Sequence, residues 1–161
     1  MSLEEMSFVS QIASAIAVIA SLIFVGFQLK HATAAIRASS SEAHSAIYVD
    51  LIKSVVDNKD FAAVWATALL KPDEVRDADW VRFVAYTGAF FRFYESWRVQ
   101  WDNGRLDLEH WATIERQAAD FARFPGVRKV WAIRDHWYSP TFRTWFDGLA
   151  SDNTALPYAR A

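Results

Sequence analysis

The sequence contains no cysteine. Disulfides, thiolate-bound metals, iron–sulfur clusters and covalently attached c-type haem all need cysteine side chains, so all four are excluded. Glycine and proline are also scarce, with five and four among the 161 residues. Because these two residues interrupt helices most strongly, and here fall mostly between apolar segments, long uninterrupted helices are expected.

The chain also lacks a large excess of either positive or negative charge. The 17 basic and 19 acidic residues leave a net charge of −2, and the basic clusters are short. Domains that bind DNA or RNA need a concentrated positive field, which this chain does not have. We therefore expect no nucleic-acid partner.

Recognisable catalytic motifs are missing too. The four histidines are scattered, and the chain has no His-Glu-x-x-His motif, no paired Glu-x-x-His motifs of a di-iron site, no Gly-x-Ser-x-Gly elbow and no phosphate-binding glycine loop. The sequence therefore predicts a protein that is not an enzyme, with no catalytic residue, no bound metal and no cofactor.

What the chain does have is an uncharged run of 22 residues from Phe8 to Leu29. As an α-helix this run would be roughly 33 Å long, against a bilayer hydrocarbon core of about 30 Å. Its serine and glutamine side chains can be satisfied by the helix backbone or by a neighbouring helix. We predict a short N-terminal tail over residues 1–7 and a transmembrane helix over residues 8–29.

Three other interpretations of this run are open. A cleaved secretory signal would explain the small residues Ala32 to Ala34, but the N-terminus is acidic and the run exceeds the usual 7 to 15 or so residues. A central helix of a soluble all-α domain is also apolar on every side, and periodicity does not separate the two cases. A helix lying in the membrane interface is less favoured, because the run has no charged face.

The residues that flank the run suggest an orientation. Glu4 and Glu5 precede it without a basic residue, whereas Lys30 and Arg37 follow it closely. Basic residues mark the cytoplasmic side of a membrane helix. We predict a single-pass protein of the inner (cytoplasmic) membrane whose C-terminal domain is cytoplasmic.

Small residues recur along one side of the run, at Ala13, Ala17 and Ser21. Such spacing lets two membrane helices approach closely and form hydrogen bonds. We predict helix–helix association through these residues, either in a homo-oligomer or with a membrane-protein partner.

Residues 30–150 have helical rather than alternating apolar periodicity throughout, so we predict an all-α domain there. The first helix either continues past the run or breaks at Ser39 to Glu42, which has the pattern of a capping box. A short helix is expected from Asp60 to Leu69, ending before Pro72. The tail over residues 151–161 lacks periodicity and is expected to be mobile.

The strongest helical pattern runs from Asp79 to Asn103. Its aromatic and apolar residues recur at steps of three and four: Trp80, Phe83, Thr87, Phe90, Tyr94, Trp97 and Trp101. Gly104 is placed to end this helix, Asp107 to cap the next one, and Ser139-Pro140 to begin the last. Since all eight tryptophans lie beyond residue 60, we predict an aromatic-rich helical bundle.

One local pattern in this helix combines charge with aromatic rings. Arg92, Glu95 and Arg98 are spaced three residues apart, and Arg134 is a candidate to join them from another helix. If buried, the group fixes helix register or binds an anion, and on the surface it contributes tenths of a kcal/mol. We favour the structural ion-pair network over the anion site.

The segments LIFVGFQLKHATAAIRASS, FRFYESWRVQWDNGRLDLEHW and FPGVRKVWAIRDHWYSPTFRTWFDGL give the chain a resemblance to a known group. It resembles a widespread family of small uncharacterised bacterial proteins with one predicted membrane helix and a helical domain. The resemblance covers residues 10 to 150. It implies a bacterial origin and a membrane helix, and assigns no function and no site residue.

Two functions fit these observations. The preferred one is a non-catalytic, membrane-anchored helical module that acts by self-assembly or as an accessory subunit of a membrane complex. The alternative is a ligand-binding or sensory domain in which Arg92, Arg98 and Arg134 receive an anionic small molecule or a lipid headgroup.

Overall fold

The computed structural model describes residues 3–150, and within that range every regular element is helical. Side chains are described except those at positions 3–6, 8–10, 12, 13, 15, 33–44 and 150. The α-helices are α1 (Leu3–Val56), α2 (Lys59–Leu70), α3 (Asp77–Asp102), α4 (Leu108–Ala122), α5 (Pro125–Arg134) and α6 (Pro140–Ala150). Short 3₁₀ helices lie at Pro72–Glu74 and Asp135–Trp137.

The chain divides into two compact units, Met1–Ala43 and His44–Ala161. The first consists of the greater part of α1. The second contains the end of α1 and the five helices that follow it. The predicted mobile tail, residues 151–161, lies outside the described residues.

Helix α1 is continuous over its 54 residues, so Ser39 does not begin a new helix. Of the two alternatives left open at this point, the uninterrupted helix is the one observed. A capping-box pattern starts a helix only when its first residue leaves helical backbone geometry. Nothing between Lys30 and Leu51 forces that departure, because the segment contains neither glycine nor proline.

The described side chains of α1 from Ile16 to Leu29 are all exposed. Among the large apolar ones the exposed fraction ranges from 46% at Val25 to 67% at Leu22. The interpretation of this segment as the central helix of a soluble all-α domain stays a prediction. Among the described residues, no helix is at once long enough and apolar enough to cross a membrane.

The helix ends of the bundle follow local sequence signals. The side chain of Asn58 accepts a hydrogen bond from the backbone N–H of Phe61 at 2.9 Å, and that of Asp107 accepts one from the backbone N–H of His110 at 2.9 Å. Gly104 follows α3 with a φ of +65°, the left-handed conformation that glycine adopts without strain. The predicted caps at Asp107 and Gly104 are confirmed, whereas Asn58 was not predicted.

Helix α3 lies at the centre of the bundle, in contact with α2, α4 and α5. Phe83, Thr87, Phe90, Tyr94 and Trp97 of the predicted stripe are buried. However, Val84, Phe91 and Phe93 are buried as well, so more than one side of α3 is covered. The prediction of an all-α fold with an aromatic-rich core is confirmed.

Phe91 shows how the core is built around α3. Its fully buried ring makes edge-to-face contacts with Phe121 of α4, Trp131 of α5 and Phe146 of α6, at centroid distances of 6.1, 5.1 and 5.2 Å. Aromatic pairs of this geometry contribute more than their buried area alone. One side chain thus joins three other helices to the central one.

Helices α2 and α5 approach closely at Gly126. A Cβ atom at this position would overlap the backbone carbonyl oxygen of Ala68 and would lie 3.0 Å from Cζ of Phe83. Backbone atoms cannot yield as a flexible side chain does, so only glycine fits here without movement of a helix. This packing role of Gly126 is visible only in the structure.

Candidate functional site

The three charged residues of the predicted α3 network separate into two pairs. Nη1 of Arg92 lies 2.7 Å from Oε2 of Glu95, as the spacing indicated. Arg98 pairs with Asp102 instead, with Nη2 2.9 Å from Oδ1. Arg92 and Arg98 are six residues apart, which is more than one and a half turns, and they therefore project from different sides of the helix.

The Arg92–Glu95 pair connects α3 to the segment that follows α5. Nη2 of Arg92 donates to the carbonyl oxygen of Trp137 at 3.1 Å, and the backbone N–H of Ser139 donates to Oε1 of Glu95 at 2.8 Å. The guanidinium carbon of Arg92 also lies 4.6 Å from the centroid of the Tyr138 ring. This pair holds residues 137–139 in place against the central helix.

Arg134 is the last residue of α5, and its described contact is with an aromatic ring. Its guanidinium carbon lies 3.9 Å from the centroid of the Trp137 ring. Among the described side chains, no carboxylate forms an ion pair with it, and Asp135 lies instead beside His136 at 3.8 Å. The guanidinium group of Arg134 thus lies beside the exposed indole ring of Trp137 and is not paired with a described carboxylate.

Arg92 and Arg134 both line one cavity, of about 560 Å³, between α3 and the end of α5. Three small residues of α3 belong to its lining and are called the cavity floor: Ala85, Gly88 and Ala89. Its remaining lining is apolar or aromatic: Trp80, Val81, Val84, Ile133, Trp137 and Tyr138. Cavities of this size that are mostly apolar and carry a few polar groups are typical of small-molecule sites.

Tyr138 contacts both Arg92 and Gly88 of the cavity floor. Its hydroxyl donates to the carbonyl oxygen of Gly88 at 3.4 Å. Burial raises the pKa of Tyr138 above its ordinary value of 10.0, and the charges of Arg92 and Arg134 partly oppose that shift. The phenol is therefore neutral at physiological pH and contributes a hydrogen-bonding group rather than a negative charge.

Arg98 lies outside this cavity, in a cluster of tryptophan rings. Its guanidinium carbon lies 5.6 Å from the ring centroid of Trp111 and 6.0 Å from that of Trp145. The indole N–H of Trp145 donates to Oε1 of Glu115 at 3.0 Å. The surroundings of Arg98 are those of a structural residue that packs α3 against α4 and α6.

A second cavity, of about 490 Å³ and wide open, adjoins the N-terminal half of α3. Asn58, Phe61, Arg82 and Tyr86 are among its lining residues. Arg82 lies over the ring of Phe61, 5.0 Å from its centroid, and pairs with Asp79 at 3.4 Å. Its charge is therefore already matched.

Metal-ligating groups do not cluster in the described part of the chain: no set of three or more histidine, aspartate or glutamate side chains is placed to hold a metal ion there. His110 contacts Asp107, with Nδ1 2.8 Å from Oδ2. This contact belongs to the cap of α4 and brings no further ligand with it.

Of the three residues predicted to associate helices, Ala17 and Ser21 are exposed on α1. The side chain of Ala13 lies outside the described part. The association itself stays a prediction.

Comparison of the chain with protein-family models, with curated proteins and with solved structures found no match. Arguments about function therefore rest on the residues and their geometry.

The sequence analysis identified Arg92 and Arg134 but missed the cavity they share. The sequence does contain a pattern that indicates a cavity, because Ala85, Gly88 and Ala89 place small residues on one side of a helix that is otherwise rich in large rings. A stretch of small residues does not show whether a neighbouring helix fills the space. In the structure the space is open, as the cavity between α3 and the end of α5.

Proposed function

We propose that this protein is a non-catalytic, membrane-anchored helical module that acts by self-assembly or as an accessory subunit of a membrane complex. The observation that carries the proposal is the exposure of apolar side chains all around α1 between Ile16 and Leu29. In this proposal residues 8–29 form the anchor, and the resemblance to bacterial proteins with one membrane helix agrees with it.

Apolar surface costs about 25 cal/mol for each Å² that stays in water. Ile16, Ile19, Leu22 and Ile23 are each more than half exposed, and Phe24 and Phe27 extend the apolar surface to other sides of the helix. Apolar surface of this extent marks a region that contacts a membrane or another protein. No charged side chain between Phe8 and Leu29 opposes insertion into a bilayer.

Partitioning between membrane and soluble fractions tests the anchor. We expect the full chain to resist alkaline extraction and to be released by mild detergent. The double variant Ile19→Lys/Ile23→Lys should shift the protein to the soluble fraction, because each lysine at mid-helix costs about 2.5 to 3.5 kcal/mol on insertion. The matched control Val49→Lys/Val56→Lys changes two exposed valines of the same helix beyond the anchor and should stay in the membrane.

Recovery of the unmodified protein from the soluble fraction without detergent would contradict the anchor. The predicted orientation is tested separately, with single cysteines at exposed Ser7 and Asp57, since the chain has none of its own. We expect a membrane-impermeant maleimide to label Ser7→Cys from outside intact cells and to label Asp57→Cys only after lysis.

Assembly is tested by native mass spectrometry of the detergent-extracted protein. Multiples of the 18.4 kDa chain indicate self-assembly, and co-purifying subunits indicate an accessory role. Ala17→Leu should weaken either complex, because the larger side chain prevents two helices from approaching closely at this surface of small residues. Gly26→Leu is the matched control, since Gly26 lies about two and a half turns further along, on the opposite side of α1. Equal effects of both variants would exclude this surface.

A second function is favoured by the shared cavity: the bundle binds an anionic small molecule or a lipid headgroup. The observation that favours it is the placement of Arg92 and Arg134 on one apolar cavity. Calorimetric titration of the full chain with phosphate-bearing probes tests it. Arg134→Gln should abolish binding, whereas Arg82→Gln, which changes an ion-paired arginine on α3, should preserve it.

A further inference from the structure

One residue of the cavity floor, Gly88, is a glycine that the backbone of α3 does not require. Gly88 lies inside α3, where glycine is less favourable than alanine. Its backbone needs no left-handed conformation, and a Cβ atom there would lie 3.8 Å from the hydroxyl of Tyr138, an ordinary contact distance. Close packing therefore does not account for Gly88, which together with Ala85 and Ala89 gives the cavity a lining of small residues on α3.

Arg134 supplies the charge at the edge of this cavity. Arg92 already donates to Glu95 and to the carbonyl of Trp137, but Arg134 forms no ion pair with a carboxylate whose side chain the structure describes. The indole of Trp137 supports one face of its guanidinium, which leaves the N–H edge as the group's polar contact surface. A planar guanidinium edge matches the oxygens of a carboxylate or a phosphate.

The mouth of the cavity is apolar and exposed. Val81, Ile133 and Trp137 all line it, with exposed fractions of 66%, 50% and 53%. An inorganic anion would leave these three side chains in water. A ligand with an apolar body would cover them while its charged group contacts Arg134.

We propose that this cavity binds an amphipathic anion, whose apolar body lies on Ala85, Gly88 and Ala89 and whose carboxylate or phosphate contacts Arg134. The inference rests on the second function proposed above and names the class of ligand. Arg92 acts here as a positioning residue, because its contacts with Glu95 and Trp137 hold the wall of the cavity. The same chemistry is offered by a free amphiphile and by an anionic membrane lipid.

The experiment is a calorimetric titration of the full chain in phosphatidylcholine nanodiscs. The probes are hexyl phosphate, inorganic phosphate and hexanol, which separate the whole amphiphile from its charged part and its apolar part. Empty nanodiscs give the background from partitioning into lipid. We expect hexyl phosphate to bind at least about tenfold more tightly than either partial probe, because only it makes both sets of contacts.

Two variants and two matched controls locate the site. Arg134→Gln removes the charge and Ala85→Leu fills the floor, and each should weaken hexyl phosphate binding at least about tenfold. Arg82→Gln and Ala132→Leu make the same changes at exposed positions that do not line the cavity, and should bind as the unmodified chain does. Tryptophan fluorescence during thermal unfolding shows whether each variant is folded, and the comparison of probes on the unmodified chain needs no variant.

The outcomes separate this inference from the function on which it rests. If inorganic phosphate binds as tightly as hexyl phosphate and Arg134→Gln abolishes both, the anion-binding function stands and the amphipathic ligand is overturned. If no probe binds above background, both fail. If hexyl phosphate binds as expected, replacing part of the phosphatidylcholine with phosphatidylglycerol identifies the source, since competition indicates a membrane lipid and unchanged affinity indicates a free amphiphile.

Discussion

Two helical segments, residues 16–29 of α1 and the central part of α3, are both apolar on more than one side, yet one is exposed and the other is buried. The described side chains of the first segment are all exposed, whereas Phe83, Phe91 and Tyr94 of α3 are almost completely buried. A helix that is apolar all round must be covered by something. For α3 the cover is α2, α4, α5 and α6, and for α1 we propose that it is the bilayer.

The largest contrast is expected from removal of one phenyl ring in each segment. Phe91→Ala should lower the free energy of unfolding by about 3 to 5 kcal/mol, because it leaves a cavity where three helices meet. Phe24→Ala should change it by less than about 0.5 kcal/mol, since that ring is 61% exposed. Tryptophan fluorescence in urea measures both, because all eight tryptophans lie in the bundle. Equal losses would overturn the contrast.

Glycine gives a second comparison of the two regions. Gly126→Ala should destabilise the bundle by about 1 to 3 kcal/mol, since its Cβ would overlap the backbone of Ala68. Gly26→Ala in α1 meets no atom within 4 Å and should leave the bundle unchanged while it raises helix content slightly. Urea midpoints and far-ultraviolet circular dichroism measure the two effects. A Gly126→Ala variant as stable as the unmodified protein would show that α2 and α5 separate easily.

Arg98 tests whether charge inside the bundle is structural. Arg98→Leu should lower the free energy of unfolding by about 1 to 2 kcal/mol, because the side chain pairs with Asp102 and packs on two tryptophan rings. It should leave hexyl phosphate binding unchanged, as Arg98 is remote from the cavity lining. Arg82→Leu, on the same helix but more exposed, is the control and should cost less. Loss of binding in Arg98→Leu with an intact fold would place the ligand at the tryptophan cluster instead.

The smallest expected effect concerns pH, to which the two regions should respond differently. The backbone N–H of His110 donates to the Asp107 carboxylate and lowers its pKa from the usual 3.8, so the cap stabilises α4 most when that group is ionised. This contribution is complete above about pH 3.8 and is lost as the pH falls through the lower pKa of the folded protein. Residues 8–29 contain no titratable side chain and should not respond.

The measurement is a pair of urea titrations, at about pH 5 and about pH 3, on the unmodified protein and on Asp107→Asn. The asparagine retains a capping oxygen but does not titrate, so that variant should lose less stability on acidification. Asp57→Asn, at an exposed position whose side chain makes no described hydrogen bond, should lose as much as the unmodified chain. If Asp107→Asn and Asp57→Asn behave alike, the carboxylate of Asp107 does not stabilise the fold.

The helices of the bundle were largely predictable because their signals are local. Asp107 caps α4 through a residue three positions away, and Gly104 ends α3 through its own backbone freedom. The stripe from Phe83 to Trp97 reflects helical periodicity, which also depends only on near neighbours. The pairing of Arg98 with Asp102 rather than Glu95 was not predictable, because spacings of three and four residues are both within reach.

The sequence by itself determined that the chain is helical and rich in buried aromatic rings, and that it has a long uncharged segment. These properties depend on composition and on interactions within a few residues. Only the tertiary structure decided which sides of α3 are covered, that a cavity lies beside Ala85 and Gly88, and that Arg134 lines it. Those outcomes depend on contacts between helices far apart in the chain, whose relative placement no local pattern specifies.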